Sequence, residues 1–423
     1  MRTVRTITVD LQIKQLLPVW GSRFRECIWL DSNNFDQTYS SFDAILAVDA
    51  FTQIVTGADG AFDRLDEYVT HTQDWLFGYL SYDLKNDVED LQSNNHDGLE
   101  FPDLFFFQPR KLFLLRGDVL EIRYLQSADD EFDIDWADIQ SVKLTDWTGQ
   151  VDVKARISPD DYLSRVSQMQ EHISRGDIYE ANFCMEFYAH AQIDPLLVYQ
   201  KLNDISQPPF ACFLKSDHHF AMCASPERYL RKQGDKIISQ PIKGTARRSE
   251  DPQTDAQIKS GLTQSLKERT ENIMITDLVR NDLSRTASRG SVRVEELCGA
   301  YTFRQVHHLI STIVSTVKPE IRPVEVLRTT FPMGSMTGAP KVSAMQIIEK
   351  LEATKRGLYS GSIGYFTPAG DFDFNVVIRS ILYNAKKRYV SLSVGSAITS
   401  ASVAGQEFDE CLLKSRAMVR ALG

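Results

Sequence analysis

The sequence predicts a mixed α/β (α+β) protein, and three observations carry that class. Residues 6–125 alternate short apolar runs with turns, the pattern of antiparallel strands. From Ser158 onward, helical spacings and strand-like runs follow one another to the end of the chain. A hydrophobic share of 43% over 423 residues is ordinary for a globular chain with a sizeable core. The length leaves room for two or three average domains, although mixed-class enzymes often build such a length around one extended core.

In order, residues 75–82, 101–107, 111–115 and 119–125 read as strands. The acid-rich passage 127–135 and the polar residues up to 150 form the expected linker, separating an N-terminal region, 1–150, from a second region, 151–423. Ser158-Pro159-Asp160-Asp161 then opens a helix, with a capping hydroxyl, proline in the first turn and acids at the positive end of the dipole. Tyr162, Val166, Met169 and Ile173 recur at helical spacing, and Gly176-Asp177 ends the run. Strands are predicted over 210–214, 220–224 and 236–242, and one long polar helix over 255–279. A strand over 308–317, a helix over 342–351, strands over 375–383 and 389–395 and a closing helix over 406–421 complete the reading.

Counting 47 basic against 57 acidic residues gives a net charge of −10, which argues against nucleic acid or an anionic membrane as partner. An anionic substrate then needs a local cation or a bound metal. The first twenty residues mix charges among apolar side chains, and no apolar run reaches membrane-spanning length, so a cytoplasmic location is expected. Cys27, Cys184, Cys212, Cys223, Cys298 and Cys411 lack CxxC spacing and predict buried free thiols rather than zinc or disulfides.

Lys243, in Pro241-Ile242-Lys243-Gly244-Thr245, is the candidate nucleophile. Lysine attacks carbon only when neutral, and from an ordinary pKa of about 10.4 that demands desolvation or a cationic neighbour at roughly 3 to 4 kcal/mol. Glu268 and Glu271 share one helix face, as do Glu407, Glu410 and Lys414 on the closing helix. Either pair alone reads as a solvated helix surface; facing each other, the two would form a hard-oxygen nest suited to Mg²⁺. In the predicted strand 375–383, Arg379 points away from the row Val376, Ile378, Ser380 and Leu382, toward solvent or a polar cavity where a guanidinium grips a carboxylate. His307 and His308 face opposite ways, so at most one works in a site. Gly334-Ser335-Met336-Thr337-Gly338-Ala339-Pro340-Lys341 lacks the Gly-Lys-Ser/Thr of a phosphate loop, which argues against an NTPase and leaves an anion-binding turn before a helix.

Ser225-Pro226-Glu227-Arg228, the Lys243 segment, Glu271-Asn272-Ile273-Met274 leading into Asp277-Leu278-Val279-Arg280-Asn281-Asp282, Val306-His307-His308-Leu309 and Thr337-Gly338-Ala339-Pro340-Lys341 follow one another between Ser158 and the C-terminus. In that order they resemble the chorismate-utilising enzymes, the family of anthranilate, aminodeoxychorismate, isochorismate and salicylate synthases. Gly78-Tyr79-Leu80-Ser81-Tyr82-Asp83 extends the resemblance weakly into the first half. It implies a fold like that of anthranilate synthase component I, with antiparallel sheets forming a β-sandwich flanked by helices. The lysine of Pro-Ile-Lys-Gly-Thr is similar to that of the aminodeoxychorismate branch, whereas anthranilate synthases usually carry a small residue there. The implied reaction starts with Lys243 attacking C2 of chorismate and expelling the C4 hydroxyl. Ammonia then adds at C4 and displaces the lysine, giving 4-amino-4-deoxychorismate for 4-aminobenzoate and folate synthesis. Anthranilate formation, and isochorismate or salicylate formation with water as nucleophile, are the alternatives within the family. A non-catalytic chorismate or tryptophan sensor is the alternative outside enzymology, disfavoured by the intact Lys243 and Glu227.

By position, the resemblance implies Glu227 as acid/base and His308 beside the departing hydroxyl. It implies Glu271 and Glu410 as Mg²⁺ ligands, with Glu268 and Glu407 close behind. Arg379 and Tyr359 are implied on the enolpyruvyl carboxylate, with Thr245, Ser335, Gly395 and Lys414 lining the pocket. Gly395-Ser396-Ala397 departs from the consecutive glycines of relatives, and if those backbones need positive φ the added Cβ atoms cost energy. A tryptophan pocket between the halves is implied at Ser32, Tyr39, Ser40, Ser41, Phe42, Pro209, Phe210 and Ala211, with a plain packing seam as the alternative. No cysteine lies in a Gly-x-Cys-x-Gly elbow, so ammonia is expected from solution or from a partner glutamine amidotransferase subunit. The close of the chain at Gly423 leaves no segment expected to release pyruvate as a lyase.

Overall fold

Two 13-residue strands, Ala44–Thr56 and Leu104–Arg116, organise the computed structural model, which describes residues 1–35 and 37–423. They pair antiparallel along their whole length, and the ladder forks on them into two leaves. Beside residues 44–48 the first leaf continues through Glu26–Asp31, Phe210–Ser216, His219–Ser225, Ser380–Asn384, Tyr389–Ile398 and Glu180–His190. Beside residues 104–107 the second leaf continues through Leu76–Leu80, Ser362–Phe366, Phe372–Asn375, Arg228–Gln233, Lys236–Gln240 and Val306–Thr316. Ile242–Arg247 and Arg293–Thr302 both pair with Val306–Thr316. Residues 1–150 and 151–423 thus share one ladder, most directly where Glu26–Asp31 meets Phe210–Ser216.

The period-two side-chain alternation of strands divides the apolar residues between two cores. Ile28, Cys212, Leu214 and Leu382 of the first leaf meet Ile237, Ile313, Ile363 and Phe374 of the second in one cluster. Trp29, Phe213, Met222 and Ile381 point the other way, against the helices Ile13–Gly21, Pro159–Arg175, Pro195–Ser206 and Ala404–Leu422. Burial on both faces explains why these strands read as near-continuous apolar runs. Each fully buried side chain of this size contributes roughly 1.5–3 kcal/mol.

Pro159–Arg175 begins and ends as its sequence predicts. The Ser158 hydroxyl accepts the Asp161 N–H at 3.1 Å, a cap worth about 1 kcal/mol, and Gly176 closes the helix at φ 85°. Elsewhere the local reading is corrected. The runs 101–107 and 111–115 merge into Leu104–Arg116, because Pro109 lies opposite a bulge between Ala50 and Thr52 that tolerates its missing N–H. The stretch expected as a linker holds the helix Phe132–Gln140, with Ile139 in the second core, and Val151 N–H bonds the Leu422 carbonyl at 3.0 Å. The long polar helix is two helices, Pro252–Gln264 and Leu266–Ser284, broken where the Ser265 side chain caps the second by accepting from Glu268 N–H. All six cysteines are buried and free. Among the described residues no helix is long and apolar enough to cross a membrane.

Candidate active site

A cavity of about 1090 Å³ opens where ends of both leaves meet the helices Leu266–Ser284 and Ala404–Leu422. Every residue expected to act on substrate or metal lines it: Lys243, Glu227, His308, Thr245, Ser335, Tyr359, Arg379, Gly395, Lys414, Glu268, Glu271, Glu407 and Glu410.

Lys243 reaches the cavity because Ile242–Arg247 is bulged. Its register against Val306–Thr316 shifts between Ile242 and Thr245, and Gly244 adopts φ 91°, a left-handed value that favours glycine. A Cβ on Gly244 would also lie 3.1 Å from Glu268 Oε2. Asn272, on the helix Leu266–Ser284, donates to the Lys243 carbonyl at 3.3 Å and the Leu309 carbonyl at 3.1 Å, fixing the acidic helix to the lysine strand. The Lys243 side chain is only 11% exposed, and its Nζ lies 3.0 Å from Glu180 Oε1. Burial alone would lower the amine's pKa, but Glu180, then Glu271 and Glu227, hold it above the ordinary lysine range. The resting side chain is therefore an ammonium, and attack on carbon requires that it first lose a proton.

Burial pushes Glu227 up to about 7, against the opposing pull of Ser335, the Ile242 N–H, Lys243 and Lys414. It is a carboxyl that holds its proton near neutrality. His308 is the opposite case. Burial, with the nearby Arg379 charge, pushes it down to about 3, so the imidazole is neutral. Its Nδ1 lies 2.9 Å from Thr245 Oγ1 and 3.4 Å from the Gly244 carbonyl, leaving Nε2 for a substrate. His307 faces away and bonds Asp255 at 3.0 Å, so only one histidine of the pair enters the site.

Arg379 arrives by a different route from the one its sequence suggested. Residues 375–383 are not one strand: Phe372–Asn375 ends, residues 376–379 turn, and Ser380–Asn384 begins. Ile378 N–H bonds the Val376 carbonyl at 2.9 Å, and Arg379 has φ 53°. The turn, rather than strand alternation, aims the guanidinium into the cavity. Among the described residues it has no carboxylate at ion-pair distance, and its burial lowers its pKa. Such a cation is a ready partner for a substrate carboxylate.

The two acidic helices do face each other. Lys267 Nζ lies 3.9 Å from Glu271 Oε1 and 3.8 Å from Glu407 Oε1, bridging them. Burial pushes Glu271 up to about 7, with Glu268 and Glu180 adding to the rise and Lys243 and Lys267 opposing it. Burial also raises Glu268, whereas Lys414 at 2.5 Å overcomes burial and holds Glu410 below its ordinary range. Crowded, partly desolvated carboxylates of this kind fit a hard divalent cation, although among the described residues no three His, Cys, Asp or Glu side chains are gathered as ligands.

The anticipated strain at Gly395-Ser396-Ala397 is absent, since none has positive φ and all lie in the strand Tyr389–Ile398. Gly395 is small for another reason: its Cβ would meet Cys184 Sγ at 2.6 Å, and its carbonyl accepts from Lys414 at 2.8 Å. The Ser396 hydroxyl donates to Glu407. In the turn at 334–341, Ser335 lines the cavity, Gly338–Ala339 pairs with Glu180 and Ala181, and Lys341 pairs with Asp282 at 2.6 Å. Sequence reasoning missed Glu180; its only signal was a carboxylate opening the largely apolar strand Glu180–His190, which carries a second one at Glu186.

At the seam between the halves, Ser32, Ser40, Ser41, Phe42, Pro209, Phe210 and Ala211 line a second cavity of about 70 Å³. Tyr39 is not among them. Its hydroxyl bonds Glu295 and accepts from Lys236 at 2.7 Å, while its carbonyl accepts from Arg228 at 2.8 Å.

A family model described as chorismate binding enzyme matches residues 25–420. Aminodeoxychorismate synthase component 1 of Escherichia coli K12 is 30% identical, with all of both chains aligned. The protein of the same name from Bacillus subtilis is 30% identical over 83% of this chain and 77% of its own. Among solved structures, anthranilate synthase component I from Streptococcus pneumoniae superposes with a TM-score of 0.80 at 23% identity, covering 92% of this chain and 95% of the other. The menaquinone-specific isochorismate synthase of Escherichia coli gives 0.78 at 17% identity, over 100% and 95%. These two likenesses establish the fold, that of anthranilate synthase component I. Matched from residue 25 to residue 420, across both leaves and every wall of the charged cavity, this chain belongs to the chorismate-binding enzyme family.

Proposed function

We propose that this chain aminates chorismate at C4, the reaction of aminodeoxychorismate synthase component 1, with ammonia drawn from solution or from a glutamine amidotransferase partner. The observation that carries the reading is Lys243, held in the charged cavity with its Nζ 3.0 Å from one carboxylate, with the Glu227 carboxyl, raised to about 7, lining the same space. Relatives bearing the aminodeoxychorismate synthase component 1 name, one aligned over its whole length and one over 77% of it, support it.

In this reading Arg379 and Tyr359 receive the enolpyruvyl carboxylate, with Lys414 across the cavity and Thr245 and Ser335 lining its walls. Glu271 and Glu410 would hold Mg²⁺, backed by Glu268 and Glu407. The ion supplies charge neutralisation for the ring carboxylate of a dianionic substrate in an acidic chain. Lys243, once deprotonated, attacks C2, and Glu227 gives its proton to the hydroxyl leaving C4. His308, neutral and anchored through Nδ1, orients that hydroxyl through Nε2. Ammonia then bonds to C4, and the Lys243 nitrogen departs from C2.

Tryptophan at the seam is a separate proposal that requires the seam to open, because its cavity of about 70 Å³ falls short of the roughly 300 Å³ at which small-molecule sites begin. Incubation with chorismate, Mg²⁺ and ammonium, followed by product chromatography with mass detection, tests the main reading. An amino-deoxy product dependent on ammonium is expected. Direct appearance of fluorescent anthranilate, or ammonium-independent isochorismate, would refute it in favour of the other branches.

A further inference from the structure

The nucleophile assignment leaves the nearest neighbour of Lys243 without a task. Glu180 begins the strand Glu180–His190, in the other leaf from Lys243, and is 1% exposed. Oε1 accepts the Nζ hydrogen bond at 3.0 Å, whereas Oε2 is buried with no hydrogen-bond partner among the described residues. An ionised carboxylate carries charge on both oxygens, so a bare buried Oε2 costs free energy while the pair is charged. Moving one proton from Nζ to Oε1 removes both charges. The carboxyl O–H then donates to the amine lone pair, and Oε2 becomes an uncharged carbonyl oxygen, which tolerates the lack of a partner better.

Resting on the reading of Lys243 as nucleophile, we infer that Glu180 is the proton acceptor that converts the resting Lys243 ammonium into the attacking amine. Other charged or titratable groups face the same cavity: Glu227 beside its strand, Lys267, Glu268 and Glu271 from the helix Leu266–Ser284, His308 from Val306–Thr316, Arg379 from its turn, and Glu407, Glu410 and Lys414 from the last helix. Among the described residues, Glu180 alone of the carboxylates lies within hydrogen-bond distance of Nζ. Glu227 is already committed as the acid. The steps balance: an Nζ–H bond breaks as the Glu180 O–H bond forms, Nζ bonds C2, and the C4–oxygen bond breaks as Glu227 protonates the departing hydroxide to water. After ammonia bonds C4 and the Nζ–C2 bond breaks, the product ammonium returns a proton to Glu227, and Glu180 returns its own to Lys243.

The test is the single-turnover rate of the Lys243 adduct as a function of pH, read by quenching and intact-protein mass spectrometry without ammonia. Glu180→Gln must shed the lysine proton to solvent, so its rate should fall at least ~10-fold below the parent at pH 7, and that deficit should shrink about tenfold per pH unit as pH rises. Taking the ratio to the parent cancels the limb that Glu227 gives both proteins. Glu180→Asp, which keeps a carboxylate, should follow the parent pH profile at a lower rate. A Glu180→Gln deficit equal at every pH, or Glu180→Asp behaving as Glu180→Gln, marks a structural role and overturns the inference. If the parent itself forms no adduct while making product, the nucleophile reading fails first, a result seen without any Glu180 variant.

Discussion

The two cavities of this protein were implied by one and the same resemblance, yet folding treats them differently. At the seam, cations and anions are consumed by each other: Arg228 Nε lies 2.9 Å from Asp373 and Lys14 Nζ 2.7 Å from Asp31, and about 70 Å³ remains. In the large cavity Arg379 has no ion-pair partner among the described residues, Glu227 is driven toward neutrality, and about 1090 Å³ stays open. A buried charge satisfied within the chain rigidifies a junction, whereas one left facing space holds free energy that a ligand of opposite charge releases. The difference separates a place built to be closed from a place built to be filled.

The largest expected effect comes from the open cavity. Lys243→Ala should lower amination by on the order of 10³-fold or more and abolish the chorismate adduct in intact-protein mass spectra; an adduct of unchanged yield moves the nucleophile elsewhere. Next is Glu410→Gln, expected to cost roughly 10²-fold in activity and to weaken Mg²⁺ binding measured by calorimetry, since it removes charge that a divalent ion would meet. Full activity of the parent in excess chelator would end the metal assignment.

A smaller, graded effect is set by pH. Glu227 must carry its proton to act as an acid, and its pKa is raised to about 7, so the active form is present below that value and lost above it. A plot of kcat/KM should therefore fall about tenfold per pH unit on its alkaline side, and Glu227→Gln should lack that limb. The same raised pKa means that the folded state holds this proton more tightly than the unfolded chain, so its contribution to stability is fully present below the ordinary value of 4.5 and is lost as pH rises through about 7. The smallest effect belongs to the seam. Saturating tryptophan should move the Tm by no more than about 2 °C, and a larger shift would show the seam opening and erase the contrast between the cavities.

Much of this was legible along the chain, for reasons that can be located. The helix Pro159–Arg175 was readable because cap, first-turn proline, apolar spacing and closing glycine are all local. Glu268 with Glu271 and Glu407 with Glu410 were readable as pairs because an α-helix places residues three apart on one face. Arg379 was assigned to the right cavity through the wrong geometry: an apolar alternation concealed a turn at residues 376–379 whose left-handed arginine needs support from both leaves. Ser265 looked like mid-helix, because a capping serine and an interior serine are the same letter.

By itself the sequence determined most of the strand and helix repertoire, the charged groups that line the large cavity and the order in which they come along the chain. Those depend on covalent geometry and on spacings of a few residues. Only the tertiary structure decided that Glu180 meets Lys243 across 63 residues, that Lys267 bridges acids of two helices, and that Tyr39 turns away from the seam toward Glu295. Proton position and cavity volume are set by desolvation and by charges distant in sequence, which come to lie within a few ångströms only when the two leaves close on their shared core.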